Sequence, residues 1–166
     1  MNIYDFAMQM ERDGENYYRQ LADQCEVVGL QEIFTMLAEE EVKHYKVVEQ
    51  LKEQNATSPE LSDAKIIDNV KNVFLAMKEE KPEMHGGETE QTHAYRKARD
   101  IEDQSHKFYL EKAKEVEGEH GQKLFLQLAC EEEKHVRIMD EIVEFVSRPE
   151  PGNWLEDAEW THLDEY

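Results

Sequence analysis

The strongest constraint on this chain is an internal repeat. Glu11, Tyr18, Glu41 and His44 are matched by Glu102, Tyr109, Glu132 and His135, each pair 91 positions apart. Residues 4–48 align with 95–139 without a gap, and 14 of the 45 positions are identical. Ala7/Ala98, Phe34/Phe125, Leu37/Leu128, Ala38/Ala129, Glu40/Glu131 and Lys43/Lys134 are among them. Identity on that scale is hard to ascribe to composition. The chain therefore reads as two copies of one unit, which must pack as two similar halves.

Each unit reads as a helical hairpin. Charged residues make up 35% of the chain, prolines number 4, and Glu, Lys, Leu and Ala fill the long segments, which favours helix. In the first unit, helices are expected over about Ile3–Glu26 and Leu30–Gln54, with a break at Val28-Gly29. In the second they are expected over about Thr92–Glu117 and Gln122–Ser147, with the turn at Gly118 to Gly121. Between the hairpins (about 3–54 and 92–147) lies a crossover over about 55–91. It opens with a loop at Asn55 to Pro59 and closes with one marked by Lys81-Pro82 and Gly86-Gly87. Ser62-Asp63 could cap a short amphipathic helix carrying Ile66, Ile67, Val70, Val73, Phe74 and Met77 on its apolar side. The expected fold is all-α: a ferritin-like four-helix bundle over residues 1–148, with a long crossover containing a short helix. Residues 149–166, with Trp154, Trp160 and Tyr166, form an aromatic tail expected to pack on the bundle or on a second subunit.

The chemistry lies on the apolar seams. One helix aligns Phe34, Leu37, Glu41, His44, Val48 and Leu51; another aligns Phe125, Leu128, Glu132, His135, Met139 and Ile142. A carboxylate facing a core costs several kcal/mol, by order of magnitude, unless it is paired or bound to metal. Glu11 and Tyr18 share a third face around Gly14, and Glu102 and Tyr109 a fourth around Ser105. Four carboxylates and two imidazoles converging at mid-bundle would balance two divalent ions. Such a donor set suits iron or manganese, and zinc can occupy it. The competing reading is two core histidines, each bonded to a neighbouring Glu without metal.

Glu-x-x-His alone carries little weight, because five of the seven histidines fit it. His93, His120 and His162 are read as surface residues; only His44 and His135 combine the seam with the repeat. Tyr18 and Tyr109 are read either as core tyrosines with a satisfied hydroxyl or as partners that tune a liganding carboxylate.

The formal charge is -20, from 39 acidic and 19 basic residues. A surface that negative repels nucleic acid and anionic membranes, and serves either solubility or the attraction of cations. No apolar run approaches the roughly 18–20 residues that span a bilayer, and the start lacks a signal-peptide pattern. Cys25 and Cys130 form no CxxC, so a Cys-rich metal site is not available. A cytoplasmic location is the simplest expectation.

The segments Ala7-Met8-Gln9-Met10-Glu11-Arg12-Asp13-Gly14-Glu15-Asn16-Tyr17-Tyr18 and Ala38-Glu39-Glu40-Glu41-Val42-Lys43-His44 resemble the rubrerythrin family of ferritin-like diiron-carboxylate proteins. The resemblance implies a diiron centre with Glu11, Glu41, His44, Glu102, Glu132 and His135 as ligands. Glu41 and Glu132 would bridge, and Glu11 and Glu102 would be terminal. It also implies reduction of hydrogen peroxide. The chain departs from the family at Ser105, where rubrerythrins carry a further Glu, so the family's ligand exchange is not implied. A four-Cys rubredoxin-like domain is not found within these 166 residues, so a separate electron-donor protein is expected. Three functions stay open at this stage. They are an enzyme reducing peroxide or oxidising Fe(II) with peroxide or O₂, an iron-binding or iron-delivery protein without turnover, and a structural bundle stapled by metal. A homodimer is expected, since the long crossover allows helix exchange.

Overall fold

The computed structural model describes residues 2–53, 61, 65–80 and 90–147. Within them lie five helices and no strand: α1 (Ile3–Gln24), α2 (Val28–Glu53), α3 (Ile66–Glu80), α4 (Glu90–Lys112) and α5 (Glu119–Ser147). α1 packs along α2, and α4 along α5. The two hairpins meet through α1 with α4 and α2 with α5, while α3 lies against α2 and α5. This is the expected four-helix bundle with a helix in its crossover. The loops of the crossover, the Ser62-Asp63 cap and the aromatic tail lie outside the described residues.

Local chemistry explains the helix ends. Asn2 caps α1, its side chain accepting from the Asp5 amide at 2.8 Å. α1 stops at Cys25, whose extended backbone (φ -85, ψ 132) cannot continue the helix. The Gln31 side chain donates to the Cys25 carbonyl and so secures the corner. The break therefore spans residues 25–27, earlier than the expected Val28-Gly29, and α2 starts at Val28. Gly29 is needed for packing instead of turning. A Cβ there would lie 2.4 Å from Met77 Sδ and 3.3 Å from Val73 Cγ1, so its bare backbone is what lets α3 approach.

The second corner also differs from expectation. α4 ends at Lys112, five residues before the expected Glu117, and turns cover 113–118. Glu115 donates to the Lys112 carbonyl at 2.9 Å within them. Gly118 takes φ 85, a left-handed conformation that favours glycine, and α5 begins directly after it.

The apolar core is split in two. One part gathers Tyr18, Leu21, Leu30, Ile33, Phe34 and Leu37 with Ile138, Ile142 and Phe145, and α3 adds Ile66, Val70, Phe74 and Met77. The other gathers Ala7, Val48, Tyr109, Ala113, Val116, Phe125 and Leu128. Each fully buried large side chain contributes about 1.5–3 kcal/mol. Mid-bundle, Glu11, Glu41, His44, Glu102, Glu132 and His135 are buried but belong to neither apolar part.

Candidate metal centre

Every main helix supplies a carboxylate to this polar layer: Glu11 from α1, Glu41 from α2, Glu102 from α4 and Glu132 from α5. α2 and α5 add His44 and His135, three residues after their Glu and on the same face. All six residues are at least 97% buried, so solvent does not offset their charge.

Their donor atoms form two overlapping groups. Oxygen or nitrogen atoms of Glu11, Glu41, His44 and Glu132 lie within 4.8 Å of one another, and so do those of Glu41, Glu102, Glu132 and His135. Glu41 and Glu132 belong to both groups. The contacts cross between hairpins and repeat in mirror fashion. His44 Nδ1 lies 3.1 Å from Glu132 Oε1, and His135 Nδ1 lies 3.1 Å from Glu41 Oε1. The imidazole rings stand 5.5 Å apart at 10° to each other. Tyr18 of α1 donates its hydroxyl to Glu102 Oε1, while Tyr109 of α4 donates to Glu11 Oε1 at 2.5 Å. The repeat does not say which carboxylate each tyrosine holds; the answer is the one on the opposite hairpin.

Electrostatics separate the carboxylates into two kinds. Burial raises Glu11, but the His44 charge and hydrogen bonds with Glu41, His44 and Tyr109 outweigh it and hold the carboxyl below its usual range. Glu102 follows the same logic: burial is outweighed by the His135 charge and by hydrogen bonds, and the group falls to about 2. Glu41 and Glu132 go the other way. Burial raises Glu41 well above the normal range, and the charges of Glu102, Glu132 and Glu11 raise it further. Burial and the charges of Glu11 and Glu102 do the same to Glu132. Burial lowers His44, yet the adjacent Glu11 carboxylate overcomes this and lifts it to about 10. His135 is likewise raised, by Glu102 against burial. Burial and then Glu102 push the Tyr18 phenol up, and burial and then Glu11 push up that of Tyr109.

These residues fit a pair of cations. Among the described residues, Glu11 Oε2 and Glu132 Oε2 are buried and meet only long contacts, His44 Nδ1 at 3.5 Å and His135 Nδ1 at 3.4 Å, which leaves each carboxylate oxygen short of a good hydrogen bond and is costly. Oxygen donors with two imidazoles suit iron, manganese or zinc. Gly14 lets Glu41 lie close against α1: an added Cβ would stand 3.3 Å from Glu41 Oε2. A cleft lined by Met10, Gly14, Tyr18, Glu41, Glu102 and Ser105 opens here between α1 and α4. Ser105 turns its hydroxyl to the Ile101 carbonyl at 3.0 Å.

His93 and His120 are exposed, and His162 lies outside the described residues. Among the described residues, three buried carboxylates lie outside the expected set: Glu141, and the pair Glu40 and Glu131, which meet Lys43 and Lys134 at 2.9 Å each. The signal of that pair was present, because both Glu and both Lys are identical across the repeat. Among the described residues, no helix is long and apolar enough to cross a membrane.

Comparison with known proteins agrees with this geometry. The family model described as Rubrerythrin matches residues 2–105, more than half of the chain. No curated protein and no solved structure matches. With four helices presenting buried carboxylates and histidines to one layer, and with that match, the chain belongs to the rubrerythrin family.

Proposed function

We propose that this protein is a non-haem diiron oxidoreductase that reduces hydrogen peroxide or oxidises Fe(II) with peroxide or O₂. One observation carries the reading: two groups of buried donor atoms share Glu41 and Glu132. In it, Glu41 and Glu132 would be shared by the two ions, Glu11 and Glu102 would each serve one, and His44 and His135 would complete one site each. Two ferrous ions held there would supply the two electrons that, with two protons, convert H₂O₂ into two waters. Tyr18 and Tyr109 orient the terminal carboxylates and keep their charge in place through hydrogen bonds. The cleft beside Gly14 and Ser105 gives a small oxidant its approach. A separate protein returns the electrons, and the protein works as a homodimer.

Metal analysis and stopped-flow spectroscopy test this. Anaerobically loaded protein is expected to hold two irons per chain and to develop an oxo-bridged ferric band rapidly with peroxide. Glu41→Ala and Glu132→Ala should each abolish loading of the pair. Either variant retaining two metals and full turnover would refute the ligand assignment. A second reading, iron binding without turnover, is favoured by Ser105, which stands at the position where the family resemblance places a further Glu and turns its hydroxyl to the Ile101 carbonyl instead. It predicts two irons bound and no reaction with peroxide over minutes.

A further inference from the structure

The dimetal reading leaves one buried feature of the repeat without a role. Glu40 and Glu131 are 8% and 4% exposed, an unusual state for carboxylates that do not line the candidate centre. Each precedes a histidine of the centre by one helical turn, Glu40 before His44 and Glu131 before His135. Carboxylate oxygens of both lie within 4.8 Å of each other and of a ring nitrogen of His44.

The orientation of that ring decides which nitrogen they meet. Nδ1 of His44 faces the centre, 3.1 Å from Glu132 and 3.5 Å from Glu11. Nε2 is the nitrogen left over. Among the described residues it is buried without a hydrogen-bond partner, and so are Glu131 Oε2 and the Nε2 of His135. A buried ring N–H and a buried carboxylate oxygen, both unsatisfied and a few ångströms apart, lose on the order of 1–3 kcal/mol each unless they meet.

The lysines argue against a third cation here. Lys43 and Lys134 already pair with Glu40 and Glu131 at 2.9 Å, so two ammonium charges offset the two carboxylates and leave little net charge to hold an ion. A carboxylate tied at one oxygen by a lysine is well placed to accept an N–H at the other.

We propose that Glu40 and Glu131 are positioning residues for the imidazoles. They accept the Nε2 proton of His44, and by the symmetry of the repeat that of His135. Each ring is then held with Nδ1 as the lone-pair donor toward the metals. This rests on the dimetal function proposed above. Such outer partners orient a liganding histidine and raise its basicity, and losing them typically lowers metal affinity about 10–100-fold.

The test uses the full chain and zinc alone as the probe. Zn(II) affinity is measured by competition with a chromophoric chelator for wild type, Glu40→Leu/Glu131→Leu and Glu40→Gln/Glu131→Gln. The Leu pair is expected to bind about 10–100-fold more weakly. The Gln pair, whose amide oxygens still accept, should recover most of that loss. Long-range ¹H–¹⁵N spectra of the metal-free chain give a second readout. The His44 Hε2 resonance should lie downfield in wild type and move upfield in Glu131→Leu. Wild-type zinc affinity in the Leu pair, or an Hε2 resonance unmoved by Glu131→Leu, overturns the proposal. If wild type takes up no zinc, the dimetal reading fails by itself, and the metal-free spectrum still decides the histidine contact. If the Leu pair does not fold, the wild-type and Glu131→Gln spectra decide it: an Hε2 at the position of a solvated imidazole in both refutes the contact.

Discussion

Loading the centre with two divalent ions should expel about four protons per chain, and the number follows from charge balance in a dry layer. Without metal, four carboxylates and two neutral imidazoles would carry a charge of -4 in surroundings at least 97% buried. That cost is removed when the cluster takes up four protons. The directions of the shifts favour Glu41 and Glu132, raised by burial and by neighbouring carboxylates, and His44 and His135, raised by Glu11 and Glu102 against burial, as the groups that take them up. Glu11 and Glu102 stay ionised, so the sum is two negative against two positive charges. Two ions of charge +2 neutralise four carboxylates and leave the imidazoles neutral. Both states are then uncharged only if all four protons leave, however they were shared beforehand.

The perturbation is a titration of metal-free protein with Zn(II) at neutral pH. Calorimetry in buffers of different ionisation enthalpy gives the proton count as the slope of heat against buffer enthalpy. A release of about four protons also makes binding steep in pH. One unit of acidification weakens uptake of the pair by about 5 kcal/mol, roughly 100-fold per ion. A slope near zero, with two ions bound, would refute the reasoning. It would mean that the layer is already anionic or that the ions sit elsewhere.

The same shifts set the stability of the metal-free protein. Glu41, Glu132, His44 and His135 are raised, so their stabilisation is complete below their unfolded values of 4.5 and 6.5 and is lost as pH rises through the folded ones. Glu102, lowered to about 2, stabilises above 4.5 and ceases to as pH falls through its folded value. The melting temperature of the metal-free form should therefore peak near pH 4.5 and decline toward pH 10. A melting temperature that rises from pH 5 to 9 would contradict it. Tyr109→Phe removes a hydrogen bond to an ionised Glu11 and should cost about 1.5–3 kcal/mol in urea denaturation of the metal-free form, with Tyr18→Phe costing a similar amount through Glu102. An unchanged urea midpoint in both variants would remove the tyrosines from the account.

Much of the fold was legible because the periodicity of the apolar positions and the repeat point the same way. The crossover helix shows it: Ile66, Val70, Val73, Phe74 and Met77 are buried as their spacing requires. The hairpin corner was misplaced because glycine carries two meanings in sequence. In the sequence Gly29 reads as a turn, but its missing Cβ makes room for Met77. The six polar residues of the seams could be foreseen, since Glu and His interrupt apolar stripes at matched depths. The exchange of Tyr18 and Tyr109 between hairpins could not, because a spacing of seven within one helix says nothing about which carboxylate lies across the bundle. Glu40 and Glu131 are hidden in the sequence for a related reason. In a chain with 39 acidic residues, a Glu next to a seam looks like surface until its burial is known.

The family match and the repeat carry different parts of the site. The match ends at residue 105, so it reaches Glu11, Glu41, His44 and Glu102 but not α5. Those four alone offer one imidazole and lack the second carboxylate common to both donor groups. Glu132 and His135 enter through the repeat, as the counterparts of Glu41 and His44. The geometry joins the two lines where neither could know of the other: His44 meets Glu132, and His135 meets Glu41, both at 3.1 Å. A chance repeat with helical periodicity would bring apolar stripes together. It would have no reason to cross-pair the histidine of each unit with the carboxylate of the other. That reciprocity is what a site built about a twofold axis demands, each half bringing three buried donor residues to one layer.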